Sequence, residues 1–358
     1  MLALLLLLTL ALAYANGAND ASKGIATLVG AGVTDHRRAI AWGTLWTVAG
    51  GLCATLLTSG LVATFSGEGL LARTATGPAF LTAVAGGAIG WLAIATWTGL
   101  PVSTTHALVG GLCGAGIAAA GADGVLWAAV GRKAALPLAL SPVISLTLMT
   151  LLFPVIRPAF RRFEGYCVCL EQRPVALAVL PAGTVAIHSG SLAVVAGADC
   201  PPTVVSRVQV LDSLHWLSSG CTSFLRGLND APKILALGVT AAAAGGVPVG
   251  GSYLLVAAAM GAGSYLAGAR VTDTLAGRVT RMTPGEGFAA NLVTSILVAA
   301  ASTVGLPVST THVSTSAIVG IGLHGRTVRW RMVRALLLAW VVTLPVAGLL
   351  AYLAYRLV

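Results

Sequence analysis

Residues 99–106 read GLPVSTTH, and residues 305–312 read GLPVSTTH again. A second pair accompanies them. Residues 17–23 read GANDASK, and residues 227–233 read GLNDAPK. The octapeptide recurs after 206 residues and the shorter motif after 210. The same order at nearly the same spacing marks a duplicated unit.

The chain around these motifs is apolar. Only 9 % of its 358 residues are charged, 57 % are hydrophobic, and the mean hydropathy is +0.90. A soluble domain carries roughly 25 % charged residues. Such a chain cannot cover a water-facing surface, which excludes a soluble enzyme and a disordered protein. The net charge of +10 comes from short basic clusters between long apolar runs. That is the pattern of a multi-pass protein in an inner or plasma membrane, with the lipid bilayer and not nucleic acid as its surroundings.

A span needs about 20 apolar residues, so the roughly 300 residues outside a polar centre allow about ten to twelve crossings. The 44 glycines suit helices that approach closely. A transmembrane β-barrel would show short alternating segments instead. The run MLALLLLLTLALAYA at 1–15 has the length of a signal peptide but no basic residue ahead of it. The repeat also begins directly after it, so it reads as the first membrane helix. The expected organisation is a first transmembrane repeat at 1–156, a polar and cytoplasmic insert at 157–210, and a second repeat at 211–358. In a membrane protein, duplicated halves point to a secondary transporter with its site where they meet.

Loop charge bears on how the halves are oriented. Asp35, His36, Arg37 and Arg38 follow the first NDA segment, while the matching stretch near 246–252 is uncharged. Arg326, Arg329, Arg331 and Arg334 follow the second octapeptide, and the stretch near 120–128 has only Asp123. Equivalent loops that differ in basic bias lie on opposite sides, so the copies are expected to be inverted. The fold class that follows is an all-α membrane protein of about 10–12 transmembrane helices in two inverted repeats, with broken helices at the substrate site and a small β-containing insert.

The motifs suit an anion. Pro101 fits the first turn of a helix, and Ser103, Thr104 and Thr105 follow with hydroxyl donors beside free backbone N–H groups. Pro307, Ser309, Thr310 and Thr311 repeat the arrangement. Two such N-termini facing one cavity would hold a tetrahedral oxyanion from both sides. The competing reading is that these hydroxyls only bond carbonyls and join helices. Asn19-Asp20 and Asn229-Asp230 lie close to glycine, at expected breaks whose carbonyls would ligate a cation. Carboxylates at membrane depth are functional by default. They can accept a hydrogen bond from protonated phosphate but not from sulfate. The competing role for Asp20 and Asp230 is an i,i+3 ion pair with Lys23 and Lys233.

These segments resemble the inorganic phosphate transporter (PiT) family of secondary carriers. The similarity continues through RVTDT at 270–274 and TPGEGFAAN at 283–291 and covers most of the chain outside 160–210. The resemblance implies inverted repeats around a central phosphate site and coupling to Na⁺ or H⁺. By motif, Asn19, Asp20, Asn229 and Asp230 are implied as phosphate or cation ligands, and the Ser-Thr-Thr runs as phosphate ligands. Departures add positive charge. Lys23 and Lys233 stand where the family usually has a neutral residue. Arg226 aligns with Asn16, where His or Asn is more usual. Only the second copy keeps an acidic residue in its Val-Thr-Asp-Thr segment, Asp273. The working hypothesis is that the Lys23 and Lys233 ammonium groups replace bound Na⁺, leaving transport weakly Na⁺-dependent or H⁺-coupled. The alternative is that both lysines snorkel away from the site. His106 and His312 close the octapeptides, as helix-fixing groups or as a proton relay.

In the centre, RPAFRR at 157–162 is basic, and short β-like runs follow at 175–180, 184–188 and 192–195. Cys167, Cys169, His188 and Cys200 fall there without a strong zinc spacing. Cys53, Cys113 and Cys221 read as packing. The competing functions are an anion channel and a membrane-embedded enzyme. The sequence carries no Walker-type loop, and neither an enzyme nor a cofactor beyond the coupling ion is expected. A sulfate permease of the same fold is the alternative substrate reading, and a homo-oligomer is compatible with the sequence.

Overall fold

The computed structural model describes residues 1–56, 59–71, 77–163, 166–180, 183–196 and 204–358. The chain begins with α1 (Leu2–Asp20) and α2 (Ser22–Gly30), which Ala21 joins while still in helical conformation. After α3 (His36–Cys53) and the short α4 (Ser59–Phe65) come α5 (Pro78–Thr98) and α6 (Thr104–Ala120). The first part closes with α7 (Trp127–Val130) and α8 (Leu136–Phe163). The later helices are α9 (Val210–Ala244), α10 (Val249–Ala267), α11 (Ala269–Gly277), α12 (Pro284–Thr303), α13 (Thr310–Gly325) and α14 (Trp330–Leu357).

Among the described residues, seven helices are long and apolar enough to cross a membrane. The 35-residue α9 is longer than a span requires but carries Arg226, Asp230 and Lys233 within it. α6 and α13, at 17 and 16 residues, fall short of the roughly 20 that a full span needs. Large apolar side chains such as Leu45, Leu151, Leu338 and Val341 face outward, where only lipid can solvate them.

The octapeptide builds the same break twice. Gly99 and Gly305 take left-handed φ values of 75° and 67°. Each ends a helix: Leu100 N–H bonds Ala95 O at 2.9 Å, and Leu306 N–H bonds Ala301 O at 2.9 Å. A residue with a Cβ would be strained at that φ. The next residues are extended, and Ser103 and Ser309 then cap α6 and α13 through the His106 and His312 N–H groups, each at 3.2 Å.

The Asn-Asp motifs do not break their helices, contrary to expectation. α9 runs unbroken through Asn229–Lys233, and α1 passes almost directly into α2. Their glycines serve close packing instead. A Cβ on Gly17 would collide with the Met260 carbonyl of α10, and one on Gly227 with the Thr47 carbonyl of α3. The breaks that open the backbone are those of the octapeptides.

Helix directions follow from a few contacts. Thr9 packs on Gly238, Asn16 reaches Asp230, and Gly24 abuts Ser223, so α1–α2 and α9 are antiparallel. α6 and α13 meet N-terminus to N-terminus: Thr105 Oγ1 donates to Val308 O at 3.3 Å, and Thr311 Oγ1 to Val102 O at 2.8 Å.

The centre is a three-stranded antiparallel sheet of β1 (Tyr166–Leu180), β2 (Gly183–Ala196) and β3 (Val204–Gln209), in the order β2-β1-β3. The runs at 184–188 and 192–195 are one strand, and β1 starts well before Val175. Pairing carries β1 past Pro174 with a register shift. Pro174 lies beyond the reach of β3, where a missing N–H can be tolerated. α8 extends to Phe163, so the expected boundary at 156 falls inside a helix. Cys200 lies outside the described residues. Of Cys169 and His188 only the backbone is described.

Candidate functional site

Every Asn-Asp and Ser-Thr-Thr residue named from sequence is brought to one buried centre. Asn16, Asn19, Asn229 and Thr311 are 0 % exposed, and Thr310, the most exposed of the set, is 4 %. The centre is buried in this conformation. An apolar groove of about 780 Å³ between α1, α5 and α10, walled by Tyr14, Trp97 and Leu266, contains none of these groups.

The two asparagines that follow the glycines fasten the two breaks. Asn19 Nδ2 donates to Leu100 O at 3.0 Å, and its Oδ1 accepts from Val102 N–H at 3.0 Å. Asn229 Oδ1 accepts from Ser302 Oγ at 3.1 Å, and its Nδ2 donates to Val308 O at 3.5 Å. Each holds the octapeptide of its own half. Their role is thus to shape the half-helix starts. Replacing Asn19 by Ala strands two buried backbone groups at about 1–3 kcal/mol each. The expected result is a lower unfolding temperature in detergent.

Charge is concentrated between the breaks. Lys23 Nζ pairs with Asp20 Oδ1. Lys233 Nζ is ringed by oxygens: Thr105 Oγ1 at 2.9 Å, Val308 O at 3.0 Å and Asp230 Oδ1 at 3.2 Å. Both lysines are 1 % exposed, so neither snorkels to water. Asn16 Nδ2 links the halves, reaching Asp20 Oδ2 and Thr104 Oγ1 at 2.9 Å and Asp230 Oδ2 at 3.3 Å.

Arg226 differs from the lysines. Its Nη2 donates to Thr47 Oγ1 at 2.7 Å and Ser264 Oγ at 3.2 Å, both neutral. Its Nε and Nη1 have no hydrogen-bond partner among the described residues, and the side chain is 1 % exposed. Three buried cations therefore face two buried carboxylates. A surplus positive charge in so dry a place favours an anion.

Asp273 does not belong to the site. It is half exposed on α11 and pairs with His36 Nε2 at 2.5 Å. α11 buries Val271, Thr272, Thr274, Leu275 and Ala276 and leaves Asp273 on its exposed side, so motif position alone misplaced it. Sequence reasoning also missed Thr47 and Ser264, which hold Arg226. Their only signal is a hydroxyl in an apolar stretch, and each helix offers another, Thr44 in α3 and Ser252 in α10. His106 Nδ1 lies 2.9 Å from Ser103 Oγ, and the His106 ring lies 4.3 Å from that of His312, which in turn stacks on Trp340 at 4.0 Å. Both histidines brace the helix starts.

Comparison with known proteins places this architecture. The sequence profile of the phosphate transporter family matches residues 16–351. The chain belongs to the phosphate transporter family. It is a multi-pass membrane protein and not an enzyme. A relative named "Probable low-affinity inorganic phosphate transporter" from Rhizobium meliloti (strain 1021) is 31 % identical, over 96 % of this chain and 92 % of that one. One of the same name from Bacillus subtilis (strain 168) is 27 % identical, over 98 % and 95 %. A solved structure titled "The sodium-dependent phosphate transporter" superposes with a TM-score of 0.77 at 21 % identity, covering 99 % of this chain and 98 % of that one. At that identity the likeness establishes the fold of this family member.

Proposed function

We propose that this chain is a secondary active carrier importing inorganic phosphate. The observation that carries this reading is the surplus buried cation, Arg226, beside two half-helix N-termini that meet head to head. The oxyanion is held at Ser103, Thr104 and Thr105 from one side and at Ser309, Thr310 and Thr311 from the other. Each N-terminus offers backbone N–H groups with no intrahelical acceptor, and Arg226 supplies the counter-charge. Asp20 and Asp230 accept the phosphate protons, which sulfate lacks. The sulfate alternative has no observation of its own behind it.

The two transmembrane parts act as inverted repeats, with the sheet as an insert between them. The antiparallel contact of α1–α2 with α9 and the reciprocal stitching of α6 and α13 support this reading. One side of the molecule gathers the start of α3 with α11 (His36–Asp273), the end of α8 with α12 (Phe160–Phe288), and the start of α14 with the end of α11 (Arg329 to Gly277 O). Arg37, Arg38, Arg157, Arg162, Arg281, Arg326, Arg331 and Arg334 flank these ends. That excess makes the sheet side cytoplasmic.

Lys233 Nζ sits among a carboxylate, a hydroxyl and a carbonyl oxygen, the oxygen set a Na⁺ would take. Lys23 occupies Asp20 likewise. A tethered ammonium in each half takes the place of a mobile cation, and H⁺ is the coupling ion. Radiolabelled phosphate uptake into proteoliposomes tests the proposal. Uptake should saturate, yield to cold phosphate but not to excess sulfate, and follow an inward proton gradient without Na⁺. No phosphate uptake, or equal block by sulfate, would overturn the substrate. Full Na⁺ dependence would overturn the tethered-cation reading alone.

A further inference from the structure

The centre of the molecule does not exhaust its buried, unpartnered polar groups. Both ring nitrogens of His215, Ser219 Oγ and Ser223 Oγ have no hydrogen-bond partner among the described residues, and these three residues are 0 %, 0 % and 1 % exposed. With Arg226 and Asp230 they recur at intervals of three or four along α9, so they share one face of that helix. At about 1.5 Å per residue the face runs about 22 Å from His215 to Asp230. It starts one turn into α9, directly after β3, and ends in the substrate centre.

Neighbouring hydroxyls show what a purely structural serine or threonine does here. Ser218 Oγ donates to His215 O at 3.0 Å, and Thr222 Oγ1 to Ser218 O at 3.0 Å. Both are satisfied within the helix. The repeat offers a second control. At the 210-residue offset, His215, Ser219 and Ser223 correspond to Leu5, Thr9 and Ala13 on α1. Only Thr9 is polar there, and it bonds Leu5 O at 2.8 Å. The helix position itself does not require polar groups.

What covers this face is close-fitting. A Cβ on Gly24 of α2 would collide with Ser223 Oγ. A Cβ on Gly287 of α12 would meet His215 Nε2 at 2.7 Å and Thr27 Cβ at 3.1 Å. Asn291 of α12 holds α2 in place, donating to Thr27 Oγ1 at 2.9 Å. α2 and the start of α12 thus form a lid over a strip of idle donors and acceptors. Buried polar atoms at membrane depth are satisfied in some state of a working protein. Water or a passing anion can reach these atoms only if α2 and α12 draw apart from α9 here.

We infer that the Ser223–Ser219–His215 face of α9 is the permeation path between the phosphate site and the sheet side of the membrane, with His215 against Gly287 as its closing contact. The oxyanion passes from Arg226 along Ser223 and Ser219 to His215. The inference rests on the carrier reading above, and it adds residues that contact the substrate in transit and not in the bound state.

Two measurements test it. The first is the variant His215→Leu/Ser219→Ala/Ser223→Ala, which stays close in volume and removes polarity. Equilibrium phosphate binding by the purified variant should stay within twofold of wild type, while the maximal transport rate falls at least tenfold. Ser219→Thr alone, which keeps the hydroxyl, should retain most of the wild-type rate. Transport by the triple variant within twofold of wild type, or parallel loss of binding and rate, would overturn the path. The second needs no phosphate. Ser219→Cys is exposed in proteoliposomes to a membrane-impermeant, anionic methanethiosulfonate, and mass spectrometry locates the modified thiol among the native cysteines. Modification of position 219 from the sheet side alone is expected. No modification from that side, or equal modification from both, sinks the inference. Wild-type protein that binds no phosphate while the thiol reacts as expected would remove the substrate assignment and leave the path standing.

Discussion

Replacing Arg226 by Met is expected to lower phosphate affinity at least a hundredfold and to bring uptake to background. The guanidinium is the one buried cation at the centre without a carboxylate in ion-pair contact among the described residues, and its Nε and Nη1 are unpartnered. Charge-assisted bonds to an oxyanion are about twice as strong as neutral ones, and a hundredfold corresponds to about 2.7 kcal/mol. The variant removes an unpaired buried charge, so its thermal stability in detergent without phosphate should hold or rise. Binding of labelled phosphate to purified protein, read beside the melting temperature, separates the two effects. Undiminished affinity with Met at 226 would show that the helix N-termini alone hold the anion.

Replacing Asp230 by Asn should damage both stability and transport. Lys233 would then be left deep in the protein with only neutral oxygens, Thr105 Oγ1 and Val308 O. Removing one partner of a buried ion pair costs about 3–5 kcal/mol. The double variant Asp230→Asn/Lys233→Met removes both charges and should recover most of that loss. It should not recover transport, because the acceptor for the phosphate proton is gone with the carboxylate. Uptake by the double variant at more than about a tenth of the wild-type rate would contradict the acceptor role. The single variant Lys233→Met bears on coupling: it frees the Asp230, Thr105 and Val308 oxygens for a mobile cation, and uptake should acquire a Na⁺ requirement.

Much of the site was readable because the chain says it twice. One GLPVSTTH is compatible with hydroxyls that merely join helices. Two copies in one order and spacing point to a shared centre, and the structure brings Ser103–Thr105 and Ser309–Thr311 together with both Asn-Asp pairs, while Thr105 and Thr311 also join the two helices. The misplacements have local causes. Asp273 has a motif position but lies on the exposed side of α11, where His36 takes it. The glycines beside the Asn-Asp pairs suggested helix breaks. They are needed because α10 and α3 pass at backbone contact, and sequence cannot separate these two uses of glycine.

Composition, hydropathy and the internal repeat were enough to establish a helical membrane protein with duplicated halves, because solvation by lipid and the 20-residue span act on local sequence. They were enough to mark both octapeptides as capped helix starts, because a cap and the free N–H groups it leaves occupy consecutive residues. Which charges are paired is another matter. Lys23 and Lys233 each have an acid three residues away, whereas the isolation of Arg226 depends on Thr47 and Ser264, 179 and 38 residues distant. The polar face of α9 likewise stands out only once α2 and α12 have closed over it without supplying partners. Pairing and burial are properties of helices brought together from across the chain, and no local stretch of residues carries them.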